Sequence, residues 1–404
     1  MHRISVVIAA AAVSLAALVA LPAASAVPAA AAVNLYVNPV RGSDTAPGSP
    51  AAPLRTIQQA MDRARPGMVI HLAAGTYTEN VVTKVNGLPG ARIVVEGPAA
   101  GAATLFGTTH VMAIKNSYYT LQGFAIDGQE QVENRYPLPA WPAQMSQIGE
   151  FKASVAPLVS NDRLIYIDSG SGRAGVTGTI VDHMTLAGAG GECIRIRDNA
   201  TDNIVENSTI RYCGMYPQVT AGAFTYHNGE GVYIGTSPKS AALPGYSDDQ
   251  SNGNIITGDV ITTYGAECFD VKENSYRNVL SSSLCADNTE PGQDQGSNVE
   301  LRGYANTVDN DQLSTSAGYG LKIAADTAAT DLGRNNVMTG IFSGQAAGAL
   351  YDTSSAPAGR SCGNVVVPAN NPGDFSAHPA WLSPCAAAPA RDERGPRRGS
   401  GRDG

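Results

Sequence analysis

The segments GECIRIRDN (191–199), GEGVYIGTS (229–237), AECFDVKEN (266–274) and SNVELRGYA (297–305) share one rhythm. In each, apolar residues alternate with polar or charged ones over a few positions, the period of a short β-strand with one buried face. Superposing them puts Ile194, Val232, Phe269 and Val299 in one inward column and Ile196, Ile234, Val271 and Leu301 in the next. Alternation then sends Arg195, Tyr233, Asp270 and Glu300 outward as one column, with Arg197, Gly235, Lys272 and Arg302 beside it. Adjacent strands lie about 4.8 Å apart and outward residues two apart along a strand about 7 Å. Asp270, Lys272, Glu300 and Arg302 are therefore expected to form a two-by-two charged patch on an exposed sheet face.

Around these segments the chain repeats. Asn203-Ile204, Asn254-Ile255, Asn278-Val279, Asn306-Thr307, Asn336-Val337 and Asn364-Val365 follow one another at spacings of 51, 24, 28, 30 and 28 residues. A period in the twenties, with about three short strands per repeat, describes a parallel β-helix, in which stacked coils share one core that no coil buries alone. Stacked Asn side chains satisfy polar groups at a sharp corner. The expected fold is all-β, a single-stranded right-handed parallel β-helix from about Leu35 to Val367. One amphipathic helix, about Leu54 to Ala64, has Ile57, Ala60, Met61 and Ala64 on one face and is expected to cap the N-terminal end.

The termini read differently. Met1, His2 and Arg3 precede an uncharged apolar run from Ile4 to Leu21, Pro22 breaks it, and Ala24-Ser25-Ala26 is a small-x-small triplet. This is the pattern of a secretory signal over 1–26; the competing reading is an uncleaved membrane anchor. The β-helix domain is placed at 27–385, and the Arg/Gly/Pro-rich tail at 386–404 is expected to be disordered. The mature protein is expected to be secreted, free of the membrane and monomeric. The signal carries one arginine and the tail five arginines against three acids, so the core is three charges more acidic than the whole chain's −8. That balance argues against nucleic acid as partner, and an acidic substrate would need a local cationic patch or a bridging metal. Six cysteines in an exported chain allow three disulfides. Sequence does not fix their connectivity, but Cys193 with Cys213, Cys268 with Cys285, and Cys362 with Cys385 each fit within one repeat.

The 51-residue gap marks one coil with two insertions, about Gly214 to Asn228 and Thr236 to Gly253. A third, about Gln129 to Arg163, holds Tyr136 and Trp141. Long loops on both sides of a strand stack make a groove, where Trp141 either stacks on sugar rings or packs its own loop down. His227, beside Asn228 and Glu230, is a metal or acid–base candidate, although a loop histidine is more often structural. Arg195 and Arg197 are placed to bind substrate carboxylates in flanking subsites, or to pair with Asp198 and Glu192; Tyr233 and Glu300 line the same face. The bland reading of the whole patch is a set of cross-strand ion pairs. Against it stand the groove and Gly235, which opens space in the column.

The pattern E-x-x-x-x-K at Glu267 and Lys272, followed one coil later by Leu301-Arg302-Gly303, resembles the family 6 polysaccharide lyases, the alginate lyase and chondroitinase B group of the pectate-lyase-like superfamily. The close likeness runs from Glu267 to Gly303, the superfamily likeness over nearly the whole mature chain. The resemblance implies Lys272 as base, Arg302 as acid or charge stabiliser, and Glu267 as one ligand of a Ca²⁺ that grips the uronate carboxylate. Three departures stand out. The family's second acid, two residues before Glu267, is Gly265 here; the histidine that often follows its arginine is Gly303; and the polar stretch Ala286 to Gly296 lengthens the lysine-to-arginine gap.

The chemistry can be reasoned without the family. β-Elimination of a uronide needs a base for the proton beside the carboxylate and relief of the charge that builds there. A free lysine, pKa about 10.4, is protonated at neutral pH; Arg302, partial burial and a bound cation would lower it, whereas Asp270 and Glu300 pull the other way. A hard cation among Asp270, Glu267 and Glu230 would take oxygen ligands and free the lysine. Alternation turns Glu267 away from Lys272, so Glu267 reaches the groove only across a bulge or turn. Two further classes remain open: a hydrolase using paired carboxylates such as Asp270 with Glu300, or Asp248-Asp249 in a flanking loop, and a non-catalytic glycan-binding surface protein. The paired-Asp and His-Gly motifs of β-helical polygalacturonases are not found.

Overall fold

The computed structural model describes residues 34–98, 102–128, 161–170, 175–215, 218–220, 223–225, 229–237, 249–288, 297–324, 333–352, 359, 361–366 and 379–385. Tyr136, Trp141, His227, Asp248, the apolar N-terminal run and the Arg-rich tail lie outside them.

Each coil leaves one short strand on each of three faces. The first face is an 11-stranded parallel sheet that begins at Asn34–Val37 and Val69–Leu72 and ends at Val337–Thr339 and Ser361–Cys362. The other two faces belong to a 17-stranded sheet. One of its stacks contains Thr209–Arg211, Val260–Thr262 and Leu284–Asn288. The other contains Ile194–Ile196, Val232–Ile234, Phe269–Val271 and Val299–Leu301. The stacks merge in the strand Gln312–Ile323, whose first half pairs with Leu284–Asn288 and whose second half pairs with Val299–Leu301. This is the right-handed parallel β-helix expected from the repeat. Both inward columns, Ile194 to Val299 and Ile196 to Leu301, are fully buried in the shared core.

The Asn ladder holds the corner before the first face. Asn203 Nδ2 donates to Asn254 Oδ1 at 2.9 Å, Asn254 to Asn278 at 3.0 Å and Asn278 to Asn306 at 3.2 Å, and the Asn306 N–H donates to Asn336 Oδ1 at 2.8 Å. Asn364 does not extend the series. It follows the last first-face strand instead of preceding it, and its Oδ1 accepts from the Ile341 N–H at 3.0 Å. It thus stacks at the next corner, where Asp259 Oδ1 accepts from the Ser208 N–H and Asp311 Oδ1 from the Ser283 N–H. Equal spacing identifies a coil but not a corner.

Both ends are closed. The helix is Ile57–Arg63; Thr56 caps it by accepting from the Gln59 N–H, and it buries Ile57, Ala60 and Met61. At the far end a 3₁₀ turn, Pro379–Leu382, lays Trp381 on the core, and both N–H groups of Asn364, main-chain and side-chain, donate to its carbonyl. The disulfides join Cys193 to Cys213, Cys268 to Cys285 and Cys362 to Cys385, the neighbouring pairs expected. Among the described residues, no helix is long and apolar enough to cross a membrane.

Candidate functional site

Strand pairing sets Arg195, Tyr233, Asp270 and Glu300 opposite one another on successive coils. The same column includes Tyr166 on the coil before Arg195 and Lys322 on the coil after Glu300. The patch is not exposed, however. Asp270 and Glu300 are each 1% exposed, Lys272 4%, Tyr233 and Arg195 5%. At the coil spacing, each long side chain lies over its neighbour and pairs with the charge beside it, so the outward face is packed rather than solvated.

Each acid of the column meets a cation. Lys272 Nζ lies 2.5 Å from Asp270 Oδ2 and Arg302 Nη2 3.0 Å from Glu300 Oε2, while Lys322 Nζ holds the other Glu300 oxygen at 3.1 Å. Arg302 Nε also stands 3.9 Å from Asp270 Oδ1. Burial favours a neutral amine at Lys272, but Asp270, with Tyr233 and Glu300, outweighs burial and Arg302 and pushes the lysine's pKa up. The expected depression is therefore not produced by the chain's own groups. Arg195 pairs with Glu192 at 2.5 Å, the alternative partner foreseen for it, and Arg197 pairs with Asp168 at 2.9 Å. Arg302 and Arg197, with side chains 11% and 18% exposed, are the more accessible cations of this face.

A column of glutamates runs along the corner that feeds these strands. Glu192, Glu230 and Glu267 each stand two residues before a paired strand position, on three consecutive coils. Burial alone would raise Glu192, but Arg195 and Arg163 outweigh it and hold the carboxyl well below its ordinary range. Among the described residues Glu230 has no such clamp. Burial, then Glu192 and Asp270, push it up to about 8 against the pull of Lys272. Oxygens of Glu230, Glu267 and Asp270 lie within 4.8 Å of one another. Glu267 joins them because its strand is only Phe269–Val271, which leaves Glu267 in the preceding turn where alternation has no hold. Among the described residues, Glu230 Oε2 and Asp270 Oδ1 are buried without a hydrogen-bond donor, while Asp270 Oδ2 faces the Lys272 ammonium. Three buried carboxylates whose oxygens converge, with orphaned oxygens on Glu230 and Asp270, are a donor set that fits a hard divalent cation.

The glycines explain the departures noted above. A Cβ on Gly265 would meet the Cys213 and Gly229 carbonyl oxygens at 2.5 and 2.6 Å, so no acid fits there. A Cβ on Gly303 would lie 2.0 Å from the Ser275 carbonyl oxygen, which excludes a histidine. Gly235 does not open empty space as expected. Its φ is +87°, and a Cβ would lie 2.5 Å from Ser275 Oγ and 3.3 Å from Lys272 Cβ.

Of the expected site residues, Lys272, Arg302, Asp270, Glu267, Glu230, Glu300, Tyr233 and Arg195 come together, with Arg197 one column across. Asp249 accepts from Thr236 Oγ1 and Ser251 Oγ and braces its own loop. Sequence reading missed Lys322, Arg163 and Tyr166, and had Glu192 only as an ion-pair partner. Lys322 carries a legible signal, since Leu321-Lys322-Ile323 has the same alternation as Val299-Glu300-Leu301. Its distance ahead of Asn336, 14 residues, exceeds the 8 and 6 residues of the Asp270 and Glu300 coils and hid the match.

Comparison with solved structures places the fold. An alginate lyase from Paenibacillus sp. str. FPU-7 superposes with a TM-score of 0.57 at 20% identity, over 78% of this chain and 93% of that one. Pectate lyase Pel9A gives 0.52 at 13% identity over 85% and 80% of the chains, and a rhamnogalacturonan lyase 0.52 at 14% over 84% and 85%. The fold is the pectate-lyase-like β-helix. Residues 40–85, the capped N-terminal end of this pectate-lyase-like solenoid, also match a family described as a protein of unknown function (DUF1565). No curated protein matches the sequence.

Proposed function

We propose that this chain is a secreted polysaccharide lyase that cleaves a uronate-containing polysaccharide by β-elimination. The observation that carries the reading is the placement of Lys272 and Arg302 on consecutive coils beside the Glu230, Glu267 and Asp270 carboxylates, on one face of a pectate-lyase-like β-helix. Lys272 takes the proton from the carbon next to the uronate carboxylate. The electron pair forms the ring double bond, the bond to the glycosidic oxygen breaks, that oxygen takes up a proton from water, and Lys272 returns the proton it took to solvent. Arg302 faces the charge that builds on the carboxylate, with a planar fork suited to two oxygens, and Arg197 binds a carboxylate in a flanking subsite. Glu230, Glu267 and Asp270 would hold Ca²⁺, which when bound supplies positive charge for the uronate carboxylate and draws on Asp270, the group that most strengthens the hold of Lys272 on its proton. Trp141 and His227 keep their assignment to the substrate groove as expectations.

The hydrolase reading asks one of two neighbouring carboxyls to donate a proton. Asp270 and Glu300 instead serve as counter-ions to Lys272, Arg302 and Lys322. The test is a panel of acidic polysaccharides followed for the ultraviolet absorbance of an unsaturated uronide and for new reducing ends. Both signals together support elimination. Reducing ends without absorbance would replace it with hydrolysis, and retention of a polysaccharide with neither would leave a binding protein.

A further inference from the structure

Lys272 leans on groups that no step of the elimination uses. Its ammonium sits 4.3 Å from the centroid of the Tyr233 ring, and its Cβ lies 3.3 Å from where a Gly235 side chain would begin, so the stem packs on the bare backbone of the preceding coil. Arg195 touches both supports. Its guanidinium carbon is 3.4 Å from the same ring centroid, and Nη2 donates to the Gly235 carbonyl at 3.2 Å. Arg195 belongs to the coil before Tyr233 and Lys272 to the coil after it, so the ring lies between two cations. Arg195 is fixed in turn by Glu192, which Arg163 grips from the other side at 2.6 Å. An arginine suits this place because its planar group meets a ring with its face and still donates at its edge.

We propose that Arg195 is a positioning residue for Lys272, acting through the Tyr233 ring and the Gly235 carbonyl, and not a substrate ligand. Its effect on turnover rests on the lyase reading; the placement of the lysine does not. A misplacement of about 1 Å costs a reacting group about 10²-fold in rate. On a polysaccharide the parent cleaves, Arg195→Met and Tyr233→Leu should therefore lose about 10²-fold in kcat with KM little changed. Tyr233→Phe, which keeps the ring, should stay near the parent, and Arg195→Lys should recover part of the loss.

A second readout needs no substrate. Acylation of individual lysines by a succinimidyl ester, read by peptide mass spectrometry on folded protein, should label Lys272 about tenfold faster in Arg195→Met and Tyr233→Leu, the factor that one lost desolvated cation–π contact corresponds to. Lys322, held by Glu300, is the internal reference. Unchanged labelling of Lys272 in both variants overturns the proposal, as does a rise in KM with kcat intact in Arg195→Met, which would return Arg195 to substrate binding. If the parent cleaves no polysaccharide while the labelling pattern holds, the lyase reading falls and the positioning role stands. Should Arg195→Met fail to fold, Tyr233→Leu against Tyr233→Phe decides.

Discussion

Lys272 and Asp270 meet at 2.5 Å with almost none of either side chain in water, so removing the lysine does two things at once. Lys272→Ala should lower turnover by about 10²–10⁴-fold, the usual contribution of a general base. It should also destabilise the protein by about 3–5 kcal/mol, because Asp270 is left as a buried, uncompensated charge. Thermal melting separates the two effects, and normal turnover in this variant would end the elimination mechanism. Arg302→Lys should also be crippling if Arg302 grips two oxygens, since an ammonium lacks the planar fork. At the carboxylate cluster, excess Ca²⁺ should raise the melting temperature of the parent, as any ligand of the folded state does. Glu230→Gln and Glu267→Gln should blunt that rise, and chelation should abolish activity while leaving the fold intact. A melting temperature indifferent to Ca²⁺ would remove the metal from the site. Which residues share this face was legible because alternation in a three-residue strand leaves one register. Burial was not legible, because it depends on how neighbouring columns lie over one another, and no single strand encodes that.

Two kinds of corner ladder hold the coils in line, and they respond differently to pH. Asn278 Oδ1 accepts from the main chain and side chain of Asn254, and its Nδ2 donates to the Ser251 carbonyl and Asn306. Asn278→Ala orphans several buried groups and should cost on the order of 3 kcal/mol, measurable by thermal melting, at about 1–3 kcal/mol per orphaned group. The Ser/Asp ladder carries acids instead. Burial raises Asp259 and Asp311 to about 7 each, against the pull of main-chain N–H groups. Between the ordinary Asp value, about 3.9, and 7, the unfolded chain has released protons that the folded one retains, so stability falls as pH rises through that window. The melting temperature should therefore fall from pH 5 to pH 8, and by less in Asp259→Asn; an equal fall in both would show that the acid does not titrate this way. The Asn ladder was readable from spacing for five of its six candidates. Asn364 was misplaced because spacing counts coils, whereas its corner is decided by the short strand Ser361–Cys362 that precedes it.

A solenoid has two ends, and each is closed by a different device: the helix Ile57–Arg63 at one, and Trp381 with the Cys362–Cys385 disulfide at the other. Ending the chain after Val366 should uncover the last coil and its strand edges, so the shortened protein should self-associate in light scattering while the full chain does not; a shortened form that stays monodisperse would show that the cap is dispensable. The architecture was legible because period and alternation agree, whereas the C-terminal cap left no periodic trace. The Asn ladder has a further consequence. The coil from Asn203 to Asn254 is 51 residues long and the next is 24, yet the rungs close at 2.9 and 3.0 Å. Contour length and pitch are thus uncoupled. A peptide inserted within 238–248, short of the coil-to-coil bonds of Asp249, Ser251 and Asn252, should therefore neither advance nor retard Lys272 relative to Arg302, so the loop beside the proposed site is expected to behave as an independent cassette.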